Sequence, residues 1–253
     1  MVMIINDKEK HKRTGKSVLL FSGGMDCLMF SKLLNPDVLL YINSGSQYEK
    51  QEQACLNALV AHNYIDKDKL VIDRDTINLK ATERVDFIVP NRNAYYMLVA
   101  SMHGEEIILS SVYGDRSFDK DNKFYSLMEE LLNHMWDEQH WTQKRIFKIH
   151  SPYKDTTKTE LVELYLAKGG SENALKTSYS CYNGQPQPCG VCKPCFRKWV
   201  ALENNDIGTS GYFKNNPWEA DWLSKVLPKA RAGIYRGRED TDIMKALGKK
   251  GIQ

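Results

Sequence analysis

Short apolar runs recur along the first two thirds of the chain. Each is followed by a longer stretch in which apolar residues return every three or four positions. Residues 18–21, 38–42, 69–72, 106–111 and 144–150 read as buried strands, and 27–34, 48–62, 94–103, 124–139 and 157–168 as helices. Strands alternating with helices at this spacing predict a parallel sheet with helices on both faces, a Rossmann-like α/β fold. In 124–139 the residues Leu127, Met128, Leu131, Leu132 and Met135 predict the face turned to the core. Asn35-Pro36-Asp37 marks a turn and Gly169-Gly170 a helix stop. The expected divisions are an α/β domain over 1–169, whose residues 1–16 form a frayed arm, a helical segment over 170–205 and an extension over 206–253.

The first apolar run stops abruptly at Ser22-Gly23-Gly24-Met25-Asp26, and an apolar helix follows from Cys27. Adjacent glycines let backbone N–H groups turn inward. With a serine hydroxyl and a helix start they make an anion site, suited to a phosphate or pyrophosphate. The bland alternative is an ordinary strand-to-helix turn. Neither G-x-x-x-x-G-K-[ST] nor G-x-G-x-x-G is present. Ligands in such sheets bind beyond the carboxyl ends of the strands, where 22–26 and 43–47 both fall. Arg92 follows Pro90-Asn91 at a helix start, where the helix dipole disfavours a cation unless an anion is near. A solvated arginine is the alternative. The polar loop 112–123 carries Asp115, Asp119 and Asp121, either site residues or a solvated acidic loop.

Composition narrows the classes. With 253 residues, 42% hydrophobic and 26% charged, the chain is ordinary for a globular protein. A net charge of +3 argues against nucleic acid as the main partner. No apolar run approaches the ~20 residues that span a bilayer, and the polar N-terminus lacks the apolar centre of a secretory signal, so a cytoplasmic location is expected. Of six cysteines, Cys27 and Cys55 read as small buried hydrophobes. The other four form Cys181-x7-Cys189-x2-Cys192-x2-Cys195, which can close a tetrahedral, structural zinc site. A redox dithiol or an iron–sulfur cluster is the alternative. The extension is basic through Lys229, Arg231, Arg236, Arg238, Lys245, Lys249 and Lys250. It also holds Trp218, Trp222, Leu223, Val226 and Leu227, which predict an amphipathic helix docked on the body.

The glycine turn resembles the S-G-G-x-D-S loop of the PP-loop ATP pyrophosphatases. Leu175-Lys176-Thr177-Ser178-Tyr179-Ser180-Cys181-Tyr182, then Cys189-Gly190-x-Cys192-x-x-Cys195-x-Arg197, closely resembles the zinc segment of the 7-cyano-7-deazaguanine synthases. Val89-Pro90-Asn91-Arg92-Asn93-Ala94 is similar to that family's V-P-G-R-N stretch. Gln47 and Glu52 keep the spacing of its Y-G-Q-R-H-x-x-E segment, and Ser151-Pro152-Tyr153 with Lys158 and Glu160 matches its last strand end. The resemblance runs in order from about residue 17 to 202.

It implies an adenine nucleotide alpha hydrolase-like fold and a ligase that converts 7-carboxy-7-deazaguanine, ammonia and ATP to the 7-cyano compound. The implied ATP contacts are Ser22, Gly23, Gly24, Met25, Asp26, Cys27, Asn43 and Gln47. The implied catalytic residues are Asp26, Arg92, Lys158 and Asp119. Arg92, Asn93, Asp115 and Asp119 would face the substrate. Mg²⁺ would accompany ATP, zinc would be structural, and the enzyme would be a homodimer. Five departures stand out: Cys27 in place of serine, Asn91 in place of glycine, the loose likeness of Asn43 to Tyr48 to the family segment, Ser117-Phe118-Asp119-Lys120 in place of Y-P-D-C, and the extension itself. A variant that stops at the amide, or joins the acid to a protein amine for DNA modification or defence, remains an alternative. So do a tRNA-modifying PP-loop enzyme and a non-enzymatic zinc scaffold. A nucleic-acid or protein partner on the basic extension is the lesser expectation beside packing.

Overall fold

The computed structural model describes residues 12–85, 88–115 and 117–252, so most of the expected N-terminal arm lies outside the described residues. Five strands form one parallel sheet in the order β3-β2-β1-β4-β5. They are β1 (Ser17–Leu20), β2 (Val38–Ile42), β3 (Leu70–Asp73), β4 (Glu106–Ile108) and β5 (Lys148–His150). Val18 lies opposite Val38 on one side and Ile107 on the other, and Ile107 opposite Ile149. The two-residue period of the strands divides these residues between two apolar layers. Leu19, Leu39, Tyr41 and Ile108 join one layer. Val18, Val38, Leu40, Ile107 and Ile149 join the other. Runs apolar at every position are what a sheet covered on both faces needs.

The first layer is closed by α1 (Met25–Leu34), α2 (Glu49–Ala61), α5 (Lys158–Ala167) and α6 (Glu172–Thr177). The second is closed by α3 (Arg92–Ala100) and α4 (Asn122–Met135). The face of α4 differs from expectation. Met128 and Leu132 are buried as expected, but their companions are Tyr125 and Trp136. Leu127, Leu131 and Met135 stand 44–55% exposed. The tyrosine decides the rotation, because its hydroxyl meets the Ser111 hydroxyl at 2.6 Å inside the core. The expected strand 144–150 pairs only from Lys148. Arg145 turns inward to Glu105, at 2.7 Å, and its guanidinium lies 4.3 Å over Trp136.

Beyond α6 the chain forms α7 (Lys193–Asn204), α8 (Leu223–Arg231) and α9 (Arg238–Gly248). A third core joins Phe196 and Trp199 of α7 to Phe213, Leu223, Ile243 and Leu247 of the extension. The amphipathic segment expected from residue 217 opens with a short turn, Pro217–Glu219, before α8 begins. Contact with the cysteine segment is close: a Cβ on Gly190 would lie 1.9 Å from the Asn215 carbonyl oxygen. Among the described residues, no helix is long and apolar enough to cross a membrane.

Candidate functional site

The strand order reverses between β1 and β4, the position at which an open parallel sheet leaves a crevice at its carboxyl edge. A cavity of about 390 Å³ opens there. The N-termini of α1, α3 and α5 reach it through Met25, Asp26, Arg92 and Lys158.

The loop after β1 supplies one wall. Gly23 takes φ +75°, and its carbonyl accepts from the Tyr179 N–H at 3.0 Å. Gly24 is the extended N-cap of α1 and gives no side-chain cap, so the first N–H groups of the helix are left to other partners. Among the described residues the Met25 N–H has only a long contact, 3.5 Å, to the Ser180 hydroxyl. Ser22 and Gly24 line the cavity, whereas Gly23 supports the loop from beneath. Cys27 is buried, its thiol donates to the Gly24 carbonyl at 3.1 Å, and burial pushes its pKa up to about 12. It is a neutral thiol turned into the loop.

Charges concentrate around this wall. Asp26 and Lys158 form an ion pair across 132 residues. Lys158 opens α5, whose start is held by a capping box between Thr157 and Glu160. Arg92 opens α3 after Asn91, which adopts φ +61°. Asparagine is among the few residues besides glycine that take this left-handed conformation readily, so Asn91 in the glycine position keeps the turn. The Arg92 guanidinium reaches the Tyr48 hydroxyl at 3.2 Å and lies 5.9 Å over Tyr96. Two cations at helix starts are unfavourable for the dipole unless an anion sits between them. Nearby Glu52 accepts from the Tyr41 hydroxyl at 3.0 Å, and burial pushes its carboxyl up to about 7.

The loop after β4 supplies the facing wall. Burial works against the charge of Asp115, but Lys120, Arg197 and Lys158 outweigh it and hold the carboxyl well below the usual range. Arg197 meets it at 2.7 Å and Lys120 at 3.4 Å. Asn93 lines the cavity and donates to Asp119 at 2.8 Å. Asp119 itself stands outside the cavity lining, as do Asn43 and Gln47. Asn43 joins Glu49 to the Gly45 N–H, and Gln47 pairs with Glu83.

The Sγ atoms of Cys181, Cys189, Cys192 and Cys195 lie within 4.8 Å of one another. Four thiolates at about 2.3 Å from a shared metal need sulfurs this close, so the donor set fits a closed tetrahedral site. The Asn183 and Cys189 N–H groups both point at the Cys181 sulfur, at 3.4 Å. Cys181 also borders the cavity, so the cluster and the phosphate-type loop share a wall.

Several lining residues carry no local signal in sequence. Tyr48 and Tyr182 stack with centroids 6.2 Å apart. Lys198 is 2% exposed and donates to the Ser178 carbonyl and the Tyr212 hydroxyl, each at 2.6 Å. Burial pushes its amine down to about 7. Arg236 reaches the cavity from the extension. Tyr182 ends the zinc-type segment quoted above; the placing of Lys198 and Arg236 at the cavity depends on long-range packing alone. Together the walls offer exposed helix N–H groups, cations and aromatic faces, the set that a nucleotide and a second planar anion require.

The chain matches the 7-cyano-7-deazaguanine synthase of Chlorobaculum parvum at 26% identity over 228 residues, covering 80% of this chain and 98% of that protein. The enzyme of the same name from Hahella chejuensis is 26% identical, with 80% and 94% covered. That of Methanobrevibacter smithii is 24% identical, with 77% and 96% covered. The profile of queuosine biosynthesis protein QueC matches residues 16–206, a stretch that holds the glycine loop, the helix-start cations and the four cysteines. On that match across most of its length, the chain belongs to the QueC family.

Proposed function

We propose that this protein is an ATP-dependent ligase of the 7-cyano-7-deazaguanine synthase kind, acting in the cytoplasm. The observation that carries the reading is the meeting of the uncapped α1 N-terminus with Arg92 and Lys158, each the first residue of its helix, around one cavity. Such an arrangement suits charge that develops on transferring phosphate oxygens. A carboxylate is a poor electrophile, because its charge repels nucleophiles and its leaving group is oxide. Attack by a carboxylate oxygen on the α-phosphorus of ATP forms the mixed anhydride and expels pyrophosphate. Ammonia then displaces AMP to give the amide. Activation of the amide oxygen by a second ATP, followed by elimination, gives the nitrile.

In this reading Ser22, Gly24 and the N–H groups of α1 hold the pyrophosphate, and Arg92 and Lys158 stabilise the charge that builds up in the displacement. Asn93 and Asp115 face the acid, with Asp119 acting through Asn93. Asp26 is the carboxylate at the phosphate wall, which fits Mg²⁺ held chiefly by nucleotide oxygens. Zn²⁺ fits the four thiolates and would be structural, since they fill every position of a tetrahedron. The reading is tested by incubation with 7-carboxy-7-deazaguanine, ammonium and Mg·ATP, with products followed by mass spectrometry. AMP and the nitrile are expected, and Lys158→Ala should slow AMP release by at least about 100-fold. Absence of AMP with this acid would sink the reading, and accumulation of amide would move the product one step back.

A further inference from the structure

Residues 207–253 lie beyond the stretch matched by the family profile, yet they return to the cavity. Between α8 and α9 the chain passes the loop after β4, and there Arg236 lines the cavity beside Asp115, Lys120 and Arg197. Its backbone is fixed from behind. The N–H groups of Tyr235 and Arg236 donate to the carboxylate of Asp240 at 2.8–3.0 Å, and Asp240 is 2% exposed. Its Nη1 donates to the Gly114 carbonyl at 2.5 Å. The same Nη1 forms a longer ion pair with Glu239 Oε2, at 3.6 Å, which is beyond hydrogen-bond length. Glu239 also meets Arg197 at 2.5 Å, and Arg197 holds Asp115 at 2.7 Å. Among the described residues the rest of the Arg236 fork makes no hydrogen bond. A planar group with two oxygens is the guest such a fork takes best.

We propose that Arg236 binds the carboxylate of the acid substrate, so that the C-terminal extension is part of the active site. The inference rests on the adenylating reading above. The acid is favoured over the nucleotide because Arg236 stands on the β4 wall with Asp115, whereas Ser22, Asp26 and Lys158 form the phosphate wall.

The test compares wild type with Arg236→Ala, Arg236→Lys and, as a surface control, Lys229→Ala. KM is measured for 7-carboxy-7-deazaguanine and for ATP, and binding of the acid alone is measured by calorimetry. Loss of a charge-assisted fork should raise the KM and Kd for the acid about 10- to 100-fold in Arg236→Ala and leave the KM for ATP within about twofold. Arg236→Lys keeps the charge without the fork and should fall between. Lys229→Ala should behave as wild type. Should Arg236→Ala melt below the assay temperature, Arg236→Lys carries the same comparison. Unchanged acid binding, or a rise confined to the KM for ATP, overturns the proposal. A wild type that binds the acid but releases no AMP removes the adenylating reading alone, because calorimetry still decides Arg236. A wild type that does not bind the acid removes both.

Discussion

A carboxyl group enclosed beside a tyrosine hydroxyl gives up its proton late, and Glu52 is in that position. Burial raises it from 4.5 to about 7. The unfolded chain releases this proton at lower pH than the folded one does. The group therefore costs stability progressively as pH rises from about 4.5 to 7, and the cost is complete above that window. Glu52→Gln removes it. Denaturant unfolding should show the variant more stable than wild type by about 1–3 kcal/mol at pH 8, with the gain fading toward pH 4.5. An equal difference at both ends would mean that the glutamate is not a titrating burden. Cys27 is a contrasting case. Its thiol is spent on the Gly24 carbonyl, which supports a structural reading of the exchange for serine.

At the scale of elements, legibility follows the range of the interactions. The glycine loop, the strands and the starts of α3 and α5 depend on residues close in sequence, and they are readable there. The buried face of α4 is not. Leu127, Leu131 and Met135 form one stripe, and Tyr125, Met128 and Leu132 form another about one residue around the helix. Periodicity cannot choose between adjacent stripes; the hydrogen bond between the Tyr125 and Ser111 hydroxyls does. The cysteine cluster is readable because ligand spacing is local, but its junction with the glycine loop through Tyr179 is not. That junction leads to an expectation. Cys192→Ser should lose bound metal, measured by elemental analysis, and lower the melting temperature by on the order of 10 °C. It should also slow AMP release, although no cysteine acts in the proposed chemistry. Full activity without metal would show that the cluster does not support the loop.

For the molecule as a whole, the extension behaves as core rather than as a tail. Trp199 is fully buried, with Trp218 5.2 Å from it and Leu247 in the same cluster. Part of its basic character is met internally: Arg238 pairs with Glu160, Lys249 with Asp206 and Lys250 with Glu203. A chain ending at residue 206 would leave Phe196 and Trp199 open to water. It should be recovered as aggregate or as a species that binds hydrophobic dye. A soluble, monodisperse chain of 206 residues would refute this.

The ion pair between Asp26 and Lys158 has a consequence for how the protein is made. Its two halves are separated by 132 residues, and Arg236 lies 122 residues beyond the Gly114 carbonyl it binds. At about 5–20 residues per second, a ribosome needs on the order of ten seconds to deliver each second half after the first. During that interval the glycine loop emerges with neither its lysine nor the extension that carries Arg236. The cavity is therefore complete only in chains whose translation is nearly finished, and an interrupted message yields a sheet that lacks part of the cavity wall.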